Sequence, residues 1–323
     1  MSSLNYLEYE LLLNREFLDV LSGLIDRSRK RVYVASYVST LSKKLKNIYY
    51  GLAYKQLREG VDVKVFLNGV SGEAVKHNVP TVEFLRGLGM KNVKLSSKYT
   101  HIKLYIIDDY FIIGSHNLSY SSESMNSYEA SIMMKSKAMS DKLAEFFNEV
   151  FLTEAAEPMF FRDVLENGVY YEIMANTKII SDLYAKTSYA VDRVKILMYV
   201  ASLSKSIKKY YALLKRKQDE GVDVAVVLNG AFKVSSTYNS RVRDYLKKIG
   251  VERVLLTRRF VHAKLAILDD FVVIGSHNLT ASSVAGRMEL TVAIKARNLS
   301  NSLNLAFERL YDEENQLNRL NTS

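Results

Sequence analysis

The chain has 323 residues, 48% hydrophobic and 25% charged, a globular composition with enough apolar material for a full core. It has no cysteine, which excludes disulfides, thiolate metal sites and cysteine nucleophiles. Lys and Arg number 45 against 35 Asp and Glu, and a net charge of +10 suits an anionic partner such as nucleic acid or an acidic membrane, although a merely basic protein has the same balance.

In chain order, Met1 to Arg15 carries Glu8, Glu10 and Arg15 and lacks the basic start and long apolar centre of a signal peptide. No run approaches the ~18 apolar residues of a membrane span, so the expected location is the cytoplasm. A helix is expected over Phe17–Ser28, then an apolar strand over Arg31–Val38 and a basic helix over Leu41–Glu59. Val61–Leu67 reads as a strand closed by Asn-Gly, Val82–Leu88 as a helix, and Thr100–Ile113 as strand–turn–strand. A later strand and a closing helix follow. The same series then returns: helix Ile179–Ala190, strand Arg193–Val200, basic helix Ser204–Glu220, strand Val222–Leu228, helix Val242–Ile249, and strand–turn–strand Val261–Ile274.

The return is a sequence repeat. Glu59 to Gly69 recurs as Glu220 to Gly230 with nine of eleven positions identical, and His101 to Asn117 recurs as His262 to Asn278 with eleven of seventeen. Both blocks are offset by 161 residues, half the chain, so a whole domain is duplicated. The expected division is a first half over 1–153, a connecting segment over 154–175, and a second half over 176–323. Strands alternating with helices predict α/β/α sandwich halves around a mainly parallel or mixed sheet.

The chemistry-bearing residues sit in the repeat. Four of the five histidines lie there: His101 and His116, His262 and His277. His101-x-Lys103 and His262-x-Lys264 put an imidazole and an ammonium two residues apart, on one face if the segment is a strand. A lone His-x-Lys is an ordinary strand edge; two copies, each followed by Asp108 or Asp269 and by Gly-Ser-His-Asn, are a constellation. A zinc site is disfavoured because His101 and His262 each have a lysine two residues away and no carboxylate triad is evident. Asp108 and Asp269 fall at the strand–strand turn and are expected to bond backbone there. His116 and His277 line the cleft or pack beneath it, and His77 is expected in an exposed loop.

His-x-Lys-x4-Asp followed by Gly-Ser-x-Asn resembles the signature of the phospholipase D superfamily, present here twice and covering both halves. The resemblance implies one cleft between two pseudo-symmetric halves. It also implies a ping-pong reaction through a covalent phosphohistidine, with no metal and no other cofactor. Carried over, one of His101 and His262 attacks phosphorus, and the other protonates the leaving oxygen and then activates water. In two-motif members the N-terminal histidine is often the nucleophile, which favours His101. Lys103, Lys264, Asn117 and Asn278 would hold the phosphoryl oxygens, with Ser115 and Ser276 as weaker phosphate contacts. An acidic residue downstream orients each histidine in this family. Glu129 fits in the first half, and Glu289 in the second, where Gly286 replaces Asn126 and the offset falls to 160.

The substrate is read from the flanks. The basic helices carry Lys43, Lys44, Lys46 and Tyr49, Tyr50, and Lys205 to Lys217 with Tyr210 and Tyr211; these read first as solvated faces with tyrosines tucked inward. Lys98 and Tyr99, and Arg258, Arg259 and Phe260, directly precede the motifs and are expected as nucleic-acid contacts near the cleft mouth. A nuclease acting on DNA or RNA is therefore the expected function. A phospholipase or phosphatidyltransferase is the alternative, but no apolar membrane-docking segment stands out in the sequence. A non-catalytic nucleic-acid-binding protein is the third, opposed by the intact His, Lys and Asn. A monomer can complete the site.

Overall fold

The computed structural model describes residues 8–124, 127–155, 157–284 and 288–320. The first half runs β1 (Tyr9–Leu13), α1 (Glu16–Arg27), β2 (Arg31–Ser36), α2 (Lys43–Arg58), β3 (Asp62–Leu67), α3 (Gly72–Gly87), β4 (Val93–Leu95), β5 (Leu104–Ile107) and β6 (Tyr110–Gly114). It continues through α4 (Tyr120–Glu123), β7 (Ser127–Tyr128), β8 (Ala130–Lys135) and α5 (Lys137–Thr153). The second half runs β9 (Phe160–Val164), β10 (Tyr170–Ala175), α6 (Lys178–Tyr189), β11 (Arg193–Met198), α7 (Lys205–Asp219), β12 (Asp223–Asn229) and α8 (Lys233–Lys248). It closes with β13 (Arg253–Thr257), β14 (Phe260–Val261), β15 (Lys264–Leu268), β16 (Phe271–Gly275), α9 (Ala281–Val284), β17 (Leu290–Lys295) and α10 (Arg297–Arg319).

The sheets are mixed and share one order. The first is β1-β8-β6-β5-β2-β3-β4; the second is β9-β10-β17-β16-β15-β11-β12-β13. The β2–β3–β4 and β11–β12–β13 pairs are parallel, and the remaining pairs within each sheet are antiparallel. Valine-rich strands suit the parallel portion because both of its faces are covered. On the outer face of the first sheet, Leu21, Tyr49 and Leu52 of α1 and α2 pack on Val34, Val65 and Ile107. On the second, Leu183, Tyr211 and Leu214 pack on Ile196, Val226 and Leu268. The inner faces share one core, in which Leu104, Ile113 and Phe147 join Leu265, Ile274 and Phe307. The two halves are therefore docked through apolar burial.

Several boundaries differ from expectation. Residues 154–175, expected as a connector, contain β9 and β10, which extend the second sheet against β17. Strand β10 is the counterpart of β1, which pairs with β8. Neither was legible, because short strands with interspersed charge carry little periodic signal. Helices α3 and α8 begin about ten residues before the expected starts, since Gly72, Asn78 and Pro80, or Ser235, Ser236 and Asn239, are weak helix formers. Tertiary hydrogen bonds override propensity there. Asn78 and Asn239, both fully buried, donate through Nδ2 to the carbonyls of Tyr37 and Tyr199 at 2.9 and 2.8 Å.

Asp108 and Asp269 occupy the turns with φ of 52° and 51°. The Asp108 carboxylate accepts from the N–H groups of Arg29, Lys30 and Arg31, and that of Asp269 from Val191, Asp192 and Arg193. They fasten the turn to the start of the neighbouring strand. Gly114 and Gly275 admit no side chain: a Cβ would collide with Ser131 or Thr291 on the next strand.

Candidate active site

Each His-x-Lys segment only enters its own sheet at its end, with β5 starting at Leu104 and β15 at Lys264. Each docks its backbone on the other half. The His101 N–H donates to the Met288 carbonyl at 2.8 Å, and Thr100 bridges Met288 in parallel. In the mirror arrangement, the N–H groups of His262 and Ala263 donate to the Tyr128 carbonyl at 2.9 and 2.8 Å, while β14 pairs with β7. The partner donors and acceptors lie just before Glu129 and Glu289. Backbone pairing across the halves therefore delivers each histidine to the other half's acid.

His262 Nδ1 lies 2.6 Å from Glu129 Oε1, and His101 Nδ1 lies 3.4 Å from Glu289 Oε1. Glu129 is fully shielded and accepts a second bond from Ser122 Oγ at 2.7 Å. The glutamate backbones are fixed by two left-handed asparagines. Asn14 and Asn176, at φ 50° and 61°, accept from the Glu129 and Glu289 N–H groups at 3.1 and 3.2 Å. Both follow the unexpected strands β1 and β10, which explains why those strands matter to the site.

Lys103 and Lys264 are fully buried and donate to the carbonyls of His101 and His262 at 3.1 and 2.6 Å. Asn117 Oδ1 accepts from Val38 N–H at 3.4 Å, and Asn278 Oδ1 from Val200 N–H at 3.3 Å, so each amide has its oxygen turned to the loop after β2 or β11. Ser115 and Ser276 are held by strand backbone, their Oγ atoms accepting from Ala130 and Leu290 N–H groups at 3.0 Å. His116 is buried beneath the site, bonded to Ser131 Oγ and the Asn14 carbonyl at 2.7 Å and stacked on Phe17. His277 is likewise buried, bonded to Thr291 Oγ1 at 2.8 Å. Among the described residues, no three His, Cys, Asp or Glu side chains are grouped to hold a metal ion.

Two tyrosines complete the walls. Tyr37 meets His101 edge-on at 4.9 Å between centroids with Lys103 Nζ 5.4 Å above its ring; Tyr199 meets His262 at 4.9 Å with Lys264 Nζ at 5.0 Å. Sequence reasoning passed over both. The signal was present, because Tyr-Val follows each copy of the second strand, displaced by one residue from the main offset.

The family model described as "Cardiolipin synthase, PLD-like domain" matches residues 21–151 and 183–311, one match on each half. The chain belongs to the phospholipase D superfamily.

Two solved structures share the fold of this phospholipase D-like chain. Phosphatidylserine synthase of Haemophilus influenzae Rd KW20 matches with a TM-score of 0.76 at 13% identity, over 95% of this chain and 86% of that one. Polyphosphate kinase of Porphyromonas gingivalis matches with 0.63 at 12% identity, over 93% of this chain and 50% of that one. Nuc, a phospholipase D family member from Salmonella typhimurium, matches with 0.36 at 18% identity, over 44% of this chain and 93% of that one. No curated protein matches by sequence.

The electrostatics of the phospholipase D-like site follow from burial. Desolvation holds His101 and His262 well below the usual imidazole range, and the ammonium groups of Lys103 and Lys264 push both the same way. Burial also drives Lys103 down to about 7 and Lys264 well below its ordinary value. His277 is lowered to about 3 and His116 is lowered, each chiefly by burial. Unfolded histidines bind protons near pH 6.5, and these folded ones resist them. The stability they contribute is therefore complete above about pH 6.5 and is lost as pH falls below it. The melting temperature is expected to drop between pH 7.5 and pH 5, and less steeply in His277→Asn; equal drops would clear His277 of any part in acid sensitivity.

The rim residues divide. Arg259 is already engaged, with Nε 2.7 Å from Glu314 Oε1, Nη2 2.6 Å from Glu313 Oε2, and its guanidinium over the Tyr128 ring. Its charge is thus met inside the protein, which weakens the expected nucleic-acid contact. Lys98 and Arg258 are exposed and make no ion pair among the described residues. Tyr99 and Phe260 stack beside His101 and His262, at 6.4 and 5.9 Å. On the basic helices Tyr49, Tyr210 and Tyr211 are core residues, whereas Tyr50 is exposed. His77 is exposed as expected, but on helix α3. No helix among the described residues is long and apolar enough to cross a membrane.

Proposed function

We propose that this phosphodiesterase-like protein cleaves or exchanges the headgroup phosphodiester of a phospholipid, without a metal, through a phosphohistidine. The observation that carries the chemistry is the cross-braced pair of imidazoles with two buried ammonium groups beside them. Substrate class is supported by the family description and by the likeness in fold to a phosphatidylserine synthase.

His101 Nε2 attacks phosphorus as its bond to the leaving oxygen breaks, and His262 gives that oxygen its Nε2 proton. Water or an acceptor alcohol then returns a proton to His262 Nε2 and attacks phosphorus, and the P–N bond breaks. The acid role suits His262, because the carboxylate 2.6 Å from its Nδ1 stabilises an imidazolium. Lys103, Lys264, Asn117 and Asn278 offset charge gathering on the non-bridging oxygens. Ser115 and Ser276, whose hydroxyls accept from strand N–H groups, are the weaker phosphate contacts. Glu129 and Glu289 orient the imidazoles.

A nucleic acid is the second reading, favoured by the net charge of +10 and by Lys98, Tyr99, Arg258 and Phe260 around the mouth. One assay separates the two. In excess EDTA, headgroup release or exchange from phosphatidylglycerol dispersed in detergent is expected, with labelled DNA and RNA left intact. Cleavage of nucleic acid alone would move the substrate class, and turnover of neither would overturn the enzyme reading.

The pH profile tests the same chemistry. One histidine must be neutral and one protonated, and both are held below the usual range. Lys103 loses its charge above about 7. The kcat/KM optimum is expected on the acid side of neutrality, and an optimum at alkaline pH would contradict this assignment.

A further inference from the structure

The duplication lets each rim residue be compared with its own copy, and one side of the mouth departs from the other. At an offset of 161, Phe232, Val234 and Tyr238 stand where the first half has Ser71, Glu73 and His77. They are 54%, 75% and 52% exposed. Val234 and Tyr238 are four residues apart on α8, so they share a face, and Phe232 caps that helix. Polar side chains serve at the matching positions of α3, so the fold itself does not require apolar ones. Exposed apolar groups gathered at one edge of a site mark a surface that meets another apolar phase.

Position and charge identify that phase. Phe232 contacts Phe260 at 4.7 Å, and Phe260 lies 5.9 Å from His262, so the apolar tip begins two rings from a catalytic imidazole. Beside it runs an open groove of about 780 Å³, lined by Gly230 and Ala231 together with Arg243, Lys247 and Arg258. Arg243 pairs with Asp244, whereas Lys247 and Arg258 form no ion pair among the described residues. Arg241 is exposed one turn beyond Tyr238. An apolar tip flanked on one side by a cationic groove matches the acyl boundary and anionic headgroups of a bilayer.

We propose that the N-terminal end of α8, with Phe232, Val234 and Tyr238, inserts into the surface of an anionic phospholipid bilayer and brings the cleft mouth onto it. The proposal rests on the lipid reading above and names how that substrate is reached. It also accounts for the missing docking segment: Lys233, Ser235, Ser236 and Thr237 interrupt the apolar residues, so no run appears in sequence.

The chain contains no tryptophan, so Val234→Trp gives a single reporter. Its emission is expected to shift to the blue on vesicles of phosphatidylcholine with phosphatidylglycerol, and far less on phosphatidylcholine alone. Wild type is expected to sediment with the anionic vesicles, more weakly as salt rises. Val234→Glu with Tyr238→His should bind them about tenfold or more weakly while cleaving a soluble phosphodiester as wild type does. Absence of wild-type binding, an unmoved emission, or full binding by the double variant would each overturn the docking. Headgroup release from detergent-dispersed lipid without vesicle binding would remove the docking alone. Vesicle binding that follows these residues, with no lipid turnover, would uphold the docking and remove the lipid chemistry.

Discussion

His101→Ala and His262→Ala are both expected to abolish turnover of natural phosphodiesters, and to fail differently when the leaving group is changed. Loss of the general acid costs roughly 100- to 10,000-fold, most where the leaving oxygen needs its proton. A nitrophenolate leaves without one. His262→Ala should therefore retain the first step on a nitrophenyl phosphodiester, release a burst of nitrophenolate, and stall as phosphohistidine because no base remains for water. His101→Ala should show neither burst nor trapped phosphate. The reverse pattern would exchange the two roles. Equal silence from both, with no phosphoenzyme in any variant, would remove the covalent mechanism. Glu129→Gln should resemble a weaker His262 lesion, since its carboxylate touches that imidazole and not His101.

Lys103→Met is the second large effect, and it should separate activity from stability. Loss of the buried cation proposed to face the phosphoryl oxygens is expected to lower kcat/KM about 100- to 1000-fold. The same change should leave the melting temperature equal or higher. Lys103 is fully buried, and its lowering to about 7 shows that desolvation outweighs attraction from Glu289 and Glu129. The unfolded chain holds this proton up to about pH 10.4, so the native state is penalised below that value. Wild-type stability contributed by this group should rise between pH 7 and pH 10, and the rise should shrink in Lys103→Met. A melting temperature many degrees lower at unchanged activity would make Lys103 a structural residue.

The duplicated blocks made most of this legible. An offset of 161 aligned the halves, and the resemblance to the phospholipase D superfamily implied that His101, Lys103, His262 and Lys264 share one cleft. What stayed hidden depends on contacts between distant parts of the chain. Pairing of Glu129 with His262, rather than with the histidine of its own half, comes from backbone bonds to Tyr128 and Met288 that no local pattern encodes. Strands β1 and β10 are specified by sheet edges rather than by periodicity. Asn78 and Asn239 looked like weak helix residues because their buried bonds to the Tyr37 and Tyr199 loops are tertiary. Arg259 looked free because its glutamates lie more than fifty residues further on.

The crossed histidine–glutamate pairs also set an order in time. Glu129 and His262 are 133 residues apart in sequence, while most sheet contacts lie within one half. Each half can collapse on its own short-range pairings, which close smaller loops and form sooner. Neither nascent half contains a finished histidine–glutamate pair, since each imidazole waits for a carboxylate made by the other. On refolding, secondary structure should therefore return before catalysis, and catalysis should return in a first-order step whose rate does not depend on protein concentration. Synthesis runs the same way: a ribosome that has released only the first half has made no enzyme, and the reactive centre comes into being when the last sheet closes.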